Sequence, residues 1–212
     1  MTERTRVIVM AKAPEPGQAK TRLIPALGAQ GAARLAERLL ERAVDTALDA
    51  AIGEVVLACA PDTAHAAFAA QERHGVSLRA QGRGDLGLRM RRAFDEAFAA
   101  GAMHALLIGT DVPALDAATL RRARAALAAA DAVFVPAFDG GYALIGLRRV
   151  EPLLFDGLPW SSAAVMALTR QRLAAAGLAH VELPPVHDID EPTDLQHLPP
   201  GWLQALSASR DT

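Results

Sequence analysis

Hydrophobic and polar positions alternate in a regular rhythm along the chain, and this rhythm predicts strands and helices in turn. Short apolar runs, typical of buried strands, occupy residues 6–10, 54–60, 76–80, 105–109 and 132–137. Longer stretches with apolar residues at helical spacing separate them and predict helices over 32–51, 64–73, 86–100 and 117–130. Such alternation predicts an α/β protein with a mostly parallel sheet and helices on both faces.

The rhythm changes after Pro136. Apolar runs on either side of Gly140-Gly141 predict two close strands that lie antiparallel, which makes the sheet mixed. A helix over 162–176, capped by Ser161 or Ser162, and a short strand over 179–183 are expected next, followed by a tail of turns and short helices. No linker, repeat or low-complexity segment divides the sequence, so we expect one domain over residues 1–212.

Composition narrows the function classes. The chain is 51% hydrophobic and 4% aromatic with a net charge of -2, which gives no support to a nucleic-acid-binding surface or a polybasic membrane patch. The first apolar run is too short for a signal peptide, and none approaches the roughly 20 residues of a membrane helix, so we expect a cytoplasmic protein. The single Cys59 excludes an internal disulfide and predicts a small buried hydrophobe rather than a nucleophile.

The loop over residues 11–23 joins the first strand to the first helix, where α/β proteins hold anions. Two prolines and Gly17 fix its path, and Lys12, Lys20 and Arg22 supply positive charge. This pattern indicates a grip on the phosphates of a nucleotide. The alternative is a surface loop whose cations are merely solvated. The segment lacks the glycines of a P-loop, so that motif is rejected.

Two acidic sites suit a hard cation. Asp111 ends the fourth strand, at the edge where open α/β sheets bind ligands, although it could instead cap the following turn. Asp188 and Asp190 flank Ile189; in an extended segment their carboxylates point the same way and repel each other unless a cation lies between them. The alternative for this acidic run is a solvated turn.

Several further motifs have two readings. Gly82-x-Gly84-x-x-Gly87 satisfies a dinucleotide-binding pattern, but it follows the third strand rather than the first, which disfavours a redox cofactor. Trp160 and Ser161 could line a substrate pocket, or the tryptophan could anchor packing. Tyr142 could face an acceptor or cover the sheet edge. The six histidines lack zinc-ligand spacing.

Five motifs occur in a fixed order and together resemble the small bacterial DUF2064 proteins, also labelled transferase 1 or arsenosugar-type glycosyltransferases, of the GT-A nucleotide-diphospho-sugar transferase superfamily. The resemblance runs from Val7 to about Leu195 and extends more distantly to MobA-like and phospholactate guanylyltransferase enzymes. The motifs are Lys12-x-Pro14-x-Pro16-Gly17-x-x-Lys20-Thr21-Arg22-Leu23, Gly84-Asp85-Leu86-Gly87, Gly109-Thr110-Asp111-Val112-Pro113, Pro136-x-x-Asp139-Gly140-Gly141-Tyr142 and Asp188-Ile189-Asp190-x-Pro192-x-Asp194-Leu195.

The resemblance implies a GT-A fold, a three-layer α/β/α sandwich with a mixed, mainly parallel sheet, and a nucleotide with Mg²⁺ or Mn²⁺ at the strand ends. From it and from the residues together, we expect nucleotide binding by Lys12, Gly17, Lys20, Arg22, Gly84 and Asp85. We expect catalytic roles for Lys20, Arg22 and Asp111, and metal ligation by Asp111, Asp188 and Asp190. The expected acceptor-binding residues are Asp139, Gly140, Gly141, Tyr142, Trp160 and Ser161. The guanylyltransferase-like relatives carry a smaller polar residue where this chain has Tyr142, which leaves the acceptor open.

Two reactions compete on such a scaffold, and both need cations on the phosphates. The cation-rich first loop favours nucleotidyl transfer from an NTP to a small phosphorylated or acidic acceptor, with release of pyrophosphate. Glycosyl transfer from an NDP-sugar is the alternative, and a non-catalytic nucleotide sensor is the third hypothesis. The expected partners are a nucleotide and a small-molecule acceptor, with no nucleic acid and no membrane; a homodimer is left open.

Overall fold

The structure is a computed structural model that describes residues 4–72 and 74–208 of the 212-residue chain. In this described part, the strands form one seven-stranded sheet in the order β3-β2-β1-β4-β6-β5-β7. The strands are β1 (Thr5–Lys12), β2 (Glu54–Ala60), β3 (Ser77–Ala80), β4 (His104–Gly109), β5 (Ala132–Pro136), β6 (Tyr142–Leu147) and β7 (His180–Glu182).

The sheet is mixed and mainly parallel, as the sequence predicts. β1 lies at its centre and pairs in parallel with both β2 and β4. β6 runs antiparallel to its two neighbours, β4 and β5, because the Gly140-Gly141 turn reverses the chain directly after β5. β7 returns parallel to β5 at the sheet edge. The carboxyl ends of β1 and β4 and the start of β6 therefore share one edge.

Helices cover both faces of the sheet. Within the described residues they are α1 (Ile24–Ala50), α2 (Ala66–Glu72), α3 (Leu86–Ala99), α4 (Ala117–Ala126), α5 (Val165–Ala175) and α6 (Trp202–Ala208), with 3₁₀ helices at Thr21–Leu23, Pro152–Leu154 and Pro192–His197. Residue 73, the predicted end of the second helix, lies outside the described residues. None of the described helices combines the length and the apolar character needed to cross a membrane.

Three apolar clusters hold these layers together. One packs the sheet against α1, α2 and α4, and a second packs the opposite face against α3 and α5. The third joins the first loop and α1 to the C-terminal segment through Leu23, Leu35 and Ile189, all fully buried. Cys59 belongs to the first cluster and is fully buried, as the sequence predicts, and this burial raises the pKa of its thiol to about 12.

Several helix boundaries differ from the sequence pattern. α1 begins earlier than expected, at Ile24, and a kink interrupts its helical geometry at Gly28, whose φ is +71°. α4 ends at Ala126 and gives way to turns. The predicted serine cap of α5 is wrong, because Ala164 occupies the N-cap position without a side-chain bond. The backbone N–H of Met166, in the first turn, instead donates to the carbonyl of Gly140 at 2.8 Å.

Candidate active site

A cavity of about 430 Å³ opens at the sheet edge where β1 and β4 end and β6 begins. In open α/β sheets, ligands bind outside the carboxyl ends of the strands. Its polar lining comes from the first loop, the end of β4, the β5–β6 turn, the segment before α5 and the C-terminal acidic segment. These lining residues are Arg22, Thr110, Asp111, Asp139, Tyr142, Trp160, Ser161, Ser162, Asp188 and Asp190.

Lys20 connects three of these segments. Its backbone adopts the left-handed conformation, with φ +47° and ψ +46°, which is uncommon for a residue other than glycine. Its side chain is only 7% exposed, and its Nζ lies 2.6 Å from Asp111 Oδ1 and 3.9 Å from Asp190 Oδ1. Nζ also donates to the carbonyl of Ile189 at 2.6 Å. The structure thus brings together the predicted cation of the first loop and two predicted metal ligands.

Arg22 makes the second link between the first loop and the acidic segment. Its guanidinium donates to Asp190 Oδ2 at 2.5 Å and lies 3.9 Å from Glu191 Oε1. Asp194 Oδ2 accepts from the backbone N–H groups of Asp190 and Glu191, which fixes this segment at the start of the Pro192–His197 helix. Arg22 remains largely exposed and is available to a ligand.

The acidic segment presents two carboxylates to the cavity, as its alternation predicts. Ile189 is fully buried, and its backbone N–H donates to the carbonyl of Asp111 at 2.9 Å. Asp188 and Asp190, on either side of Ile189, both line the cavity. Burial raises the pKa of Asp188, and the neighbouring charge of Asp139 raises it further. These carboxylates are therefore crowded, as at a site that a cation relieves.

The residues present fit a hard divalent cation in their chemistry. Asp111, Asp188 and Asp190 offer oxygen donors around one cavity, and Mg²⁺ needs only one or two protein carboxylates when phosphate and water supply the rest. The described residues contain no preformed group of three metal-ligating side chains. The Lys20 ammonium is instead the cation closest to Asp111, so a metal would share or replace that contact.

The turn between β5 and β6 lines another part of the cavity. Asp139 Oδ1 accepts from the backbone N–H of Gly141 at 2.8 Å, which closes the turn. Gly140 has φ +92°, and a Cβ on it would lie 2.2 Å from the carbonyl oxygen of Ala163. Gly140 therefore allows the segment before α5 to pack on the turn, while Asp139, Gly141 and Tyr142 line the cavity.

Tyr142 and Trp160 each bury a polar atom without a hydrogen-bond partner among the described residues. The atoms are the Tyr142 hydroxyl and the Trp160 indole Nε1, and the two rings meet edge to face with centroids 6.4 Å apart. Burial raises the pKa of the Tyr142 phenol, which remains a protonated donor. Buried donors left unpaired are costly, so both are candidates for satisfaction by a ligand or water.

Five predicted nucleotide-binding residues lie outside the cavity lining: Lys20, whose contacts are given above, and Lys12, Gly17, Gly84 and Asp85. Lys12 donates from Nζ to the carbonyl of Gln18 at 3.0 Å, and Gly17 turns the first loop at φ +81°. Asp85 caps α3 by accepting from the backbone N–H of Leu88 at 2.8 Å, and Gly84 precedes it at φ +122°. These residues shape the two loops beside the cavity, and their contact with a nucleotide stays a prediction.

Sequence reasoning missed an aromatic stack behind the acidic residues. His187 stacks on Phe138 with ring centroids 4.2 Å apart and on His197 at 3.8 Å. Phe138 precedes Asp139 and His187 precedes Asp188, so the stack fastens together the two segments that carry these carboxylates. The only sequence signal is that each carboxylate follows a ring, which no motif records.

A larger cavity, of about 550 Å³, lies between α3 and the strands β1, β2 and β3. Its arginines are already engaged: Arg92 donates to the carbonyls of Gln81 and Arg83, and Arg6 pairs with Glu54. It lies away from the convergence of Lys20 and Asp111. The smaller cavity is therefore the candidate active site.

One protein family matches more than half of this chain. A family model described as "Uncharacterized protein conserved in bacteria (DUF2064)" matches residues 43–162. No curated protein matches the sequence. The family predicted from the ordered motifs is confirmed by this match.

Solved structures share the fold over nearly the whole chain. A candidate nucleotide-diphospho-sugar transferase from Desulfovibrio desulfuricans G20 is 29% identical, with a TM-score of 0.85, covering 100% of this chain and 96% of its own. The 4-diphosphocytidyl-2C-methyl-D-erythritol synthase of Anaerococcus prevotii DSM 20548 is 12% identical, with a TM-score of 0.64 and coverages of 96% and 100%. A CMP:2-keto-3-deoxy-manno-octonic acid synthetase complexed with CTP is 13% identical, with a TM-score of 0.57 and coverages of 97% and 99%. The predicted fold class is confirmed.

Proposed function

We propose that this chain, which belongs to the DUF2064 family of proteins conserved in bacteria, is a single-domain, divalent-metal-dependent transferase that moves a nucleotidyl group from an NTP to a small-molecule acceptor. The class of nucleotide-using transferase agrees with the Desulfovibrio neighbour, which aligns with the whole chain at 29% identity. Metal dependence, donor and acceptor are our proposals.

One observation carries the proposal: Lys20, Arg22, Asp111 and Asp190 converge at the carboxyl edge of the sheet. Lys20 Nζ lies 2.6 Å from Asp111, and Arg22 lies 2.5 Å from Asp190. A cation pair beside a carboxylate set suits a polyphosphate with a bound metal, because the metal and the basic groups share its negative charge. A solvated surface loop would not bury the Lys20 ammonium against a strand-end carboxylate.

We call the part of the cavity beside Lys20, Arg22 and Asp111 the donor end. It would bind the NTP by neutralising the negative charge of the phosphates. Lys20 and Arg22 would donate to the leaving phosphates, where charge develops as the bond breaks. Asp111, with Asp188 or Asp190, would hold Mg²⁺ or Mn²⁺, which supplies Lewis-acid charge to the phosphate oxygens. In the transfer, an acceptor oxygen bonds to the α-phosphorus, the α-phosphorus–bridging oxygen bond breaks, and pyrophosphate leaves with the electron pair.

Glycosyl transfer from an NDP-sugar is the second candidate. The observation that favours it is that few basic side chains line the cavity: Arg22 is the only one among the described lining residues. A sugar diphosphate carries less charge than a triphosphate and needs less neutralisation. In that reaction the acceptor oxygen bonds to the anomeric carbon, and the nucleoside diphosphate leaves.

The test is a thermal-shift panel of NTPs and NDP-sugars with and without Mg²⁺, followed by product analysis, since a ligand that binds the native state raises its apparent stability. We expect Mg²⁺-dependent stabilisation by triphosphates and pyrophosphate release. Stabilisation by NDP-sugars alone would move the assignment to glycosyl transfer. Binding without turnover with any acceptor would indicate a nucleotide sensor, and no nucleotide binding would end the proposal.

A further inference from the structure

We infer that the acceptor is an uncharged, hydroxyl-rich molecule of the size of a single sugar or polyol, held between Asp139 and the Tyr142–Trp160 pair. The inference rests on the proposed function, because it concerns the far end of the same cavity. It departs from the phosphorylated or acidic acceptor that the first loop suggests in the sequence.

Charge is the first argument. Four carboxylates line the cavity, from Asp111, Asp139, Asp188 and Asp190, against the single guanidinium of Arg22. Both nearby cations are held at the donor end, Lys20 by Asp111 and Arg22 by Asp190. In the described part of the chain, Asp139 and Asp188 have no basic partner. Even with a divalent metal on Asp111 and one carboxylate of the acidic segment, an acceptor phosphate would meet the uncompensated charge of Asp139 in addition to that of the donor, and like charges at contact distance repel near a protein surface.

Hydrogen-bonding capacity is the second argument. An ionised carboxylate only accepts hydrogen bonds, and so does a phosphate oxygen without a proton, whereas a hydroxyl group both donates and accepts. Asp139 Oδ1 is used by the Gly141 N–H, and its Oδ2 has no partner among the described residues. The Tyr142 hydroxyl and Trp160 indole N–H are donors that also lack one, and both atoms are enclosed beside the cavity with almost no accessible surface. A polyol can donate to the free Asp139 oxygen and can accept from these two donors when their rings turn toward it; an ammonium compound, which cannot accept, would leave them unpaired.

The remaining lining suits the carbon skeleton of such a molecule. Met10, Met90, Leu107, Ala143 and Val165 contribute apolar surface to the same cavity. Pockets for small molecules combine an apolar wall with a few fixed polar groups that set orientation. A volume of about 430 Å³, shared with the donor's phosphates, leaves room for a compact acceptor only.

A hydroxyl acceptor also requires a group that takes its proton. As the acceptor oxygen bonds to the α-phosphorus and pyrophosphate leaves, the hydroxyl proton passes to Asp139, whose Oδ2 is free to receive it. A phosphate or carboxylate acceptor would need no such group. Asp139 would thus use one carboxylate oxygen to close the β5–β6 turn and the other to receive the proton of a hydroxyl acceptor.

The test compares neutral compounds with their phosphorylated counterparts on the full-length protein in Mg²⁺. Saturation-transfer NMR would measure binding of D-glucose against glucose 1-phosphate, and of glycerol against glycerol 3-phosphate. We expect at least one neutral member to bind about tenfold or more tightly than its phosphorylated partner. Asp139→Asn keeps an oxygen for the Gly141 N–H but removes the charge, so it should narrow the affinity ratio between the neutral and the phosphorylated compounds.

Asp156→Asn is the matched control, because Asp156 pairs with Arg91 away from the cavity. This variant should have the same affinity ratio between neutral and phosphorylated compounds as the wild type. Equal or tighter binding of the phosphorylated members, no binding of either neutral compound at millimolar concentration, or an unchanged ratio in Asp139→Asn would each overturn the inference. Nucleotide affinity, measured on the same samples, keeps this failure distinct from failure of the proposed function.

Discussion

Replacing Lys20 by methionine should separate two effects of its ammonium group: binding of the donor's phosphates and repulsion of a divalent cation. Lys20→Met keeps an unbranched apolar stem and removes the ammonium, which lies 2.6 Å from both Asp111 Oδ1 and the Ile189 carbonyl. If this ammonium grips the donor's phosphates, the variant loses charge-assisted hydrogen bonds worth about 1.5–3 kcal/mol. Affinity for nucleotide with Mg²⁺ should therefore fall by about 10- to 150-fold.

The same variant should bind a bare divalent cation more tightly. In the wild-type protein the buried ammonium neutralises Asp111 and lies 3.9 Å from Asp190, so a metal that arrives without a nucleotide meets a positive charge. Removing that charge at a separation of roughly 4–6 Å relieves a repulsion of a few kcal/mol at an effective dielectric constant near 20. After solvent screening, we expect Mn²⁺ affinity to rise by about tenfold.

Calorimetry with nucleotide and electron paramagnetic resonance of Mn²⁺ measure the two effects on one preparation. Arg149→Met is the matched control, since Arg149 is an exposed basic residue that pairs with Glu151 and does not line the cavity. It should change both quantities far less. The reasoning is refuted if Lys20→Met binds nucleotide as the wild type does, or if its Mn²⁺ affinity is unchanged.

Variants at three further residues test other parts of the account. Gly140→Ala should lower the free energy of unfolding by about 2 kcal/mol or more in chemical denaturation, because its Cβ would meet Ala163 and its φ is +92°; wild-type stability would contradict this. Asp85→Ala should cost about 1 kcal/mol and Asp85→Ser should restore most of it, whereas failure of serine to restore stability would argue against a helix cap. Burial and the charge of Asp139 raise the pKa of Asp188 in the folded protein. Because the ionised carboxylate is therefore less favourable in the folded than in the unfolded state, the wild-type protein loses stability as pH rises toward and through this raised pKa. Asp188→Asn should thus be more stable at pH 7, and the gain should vanish below about pH 4; equal stability at both pH values would contradict it.

The sequence predicts those parts of the site that follow from local rules. Asp111 could be assigned to the ligand-binding edge because it lies two residues after an apolar strand. Asp188 and Asp190 could be assigned to one side because the alternation around Ile189 holds in the structure. The β5–β6 hairpin could be predicted because two glycines separate two apolar runs.

Other features depend on contacts between distant segments, which periodicity does not encode. The bond from Lys20 to the Ile189 carbonyl joins residues that are far apart in the sequence, and the left-handed backbone conformation of Lys20 is not signalled by its residue type. The start of α5 is set by a bond to Gly140 rather than by a serine. The stack of Phe138 on His187 joins two segments whose sequences give no sign of meeting.

The most direct measurement of the central claim is the Mg²⁺ dependence of nucleotide affinity in Asp111→Asn, followed by calorimetry. Asparagine keeps the size of the side chain but lacks the negative charge that a hard cation prefers. In the wild type we predict that Mg²⁺ tightens nucleotide binding by about tenfold or more, and that this gain disappears in the variant. An equal gain in both proteins would contradict the assignment of this strand end to a metal–diphosphate site.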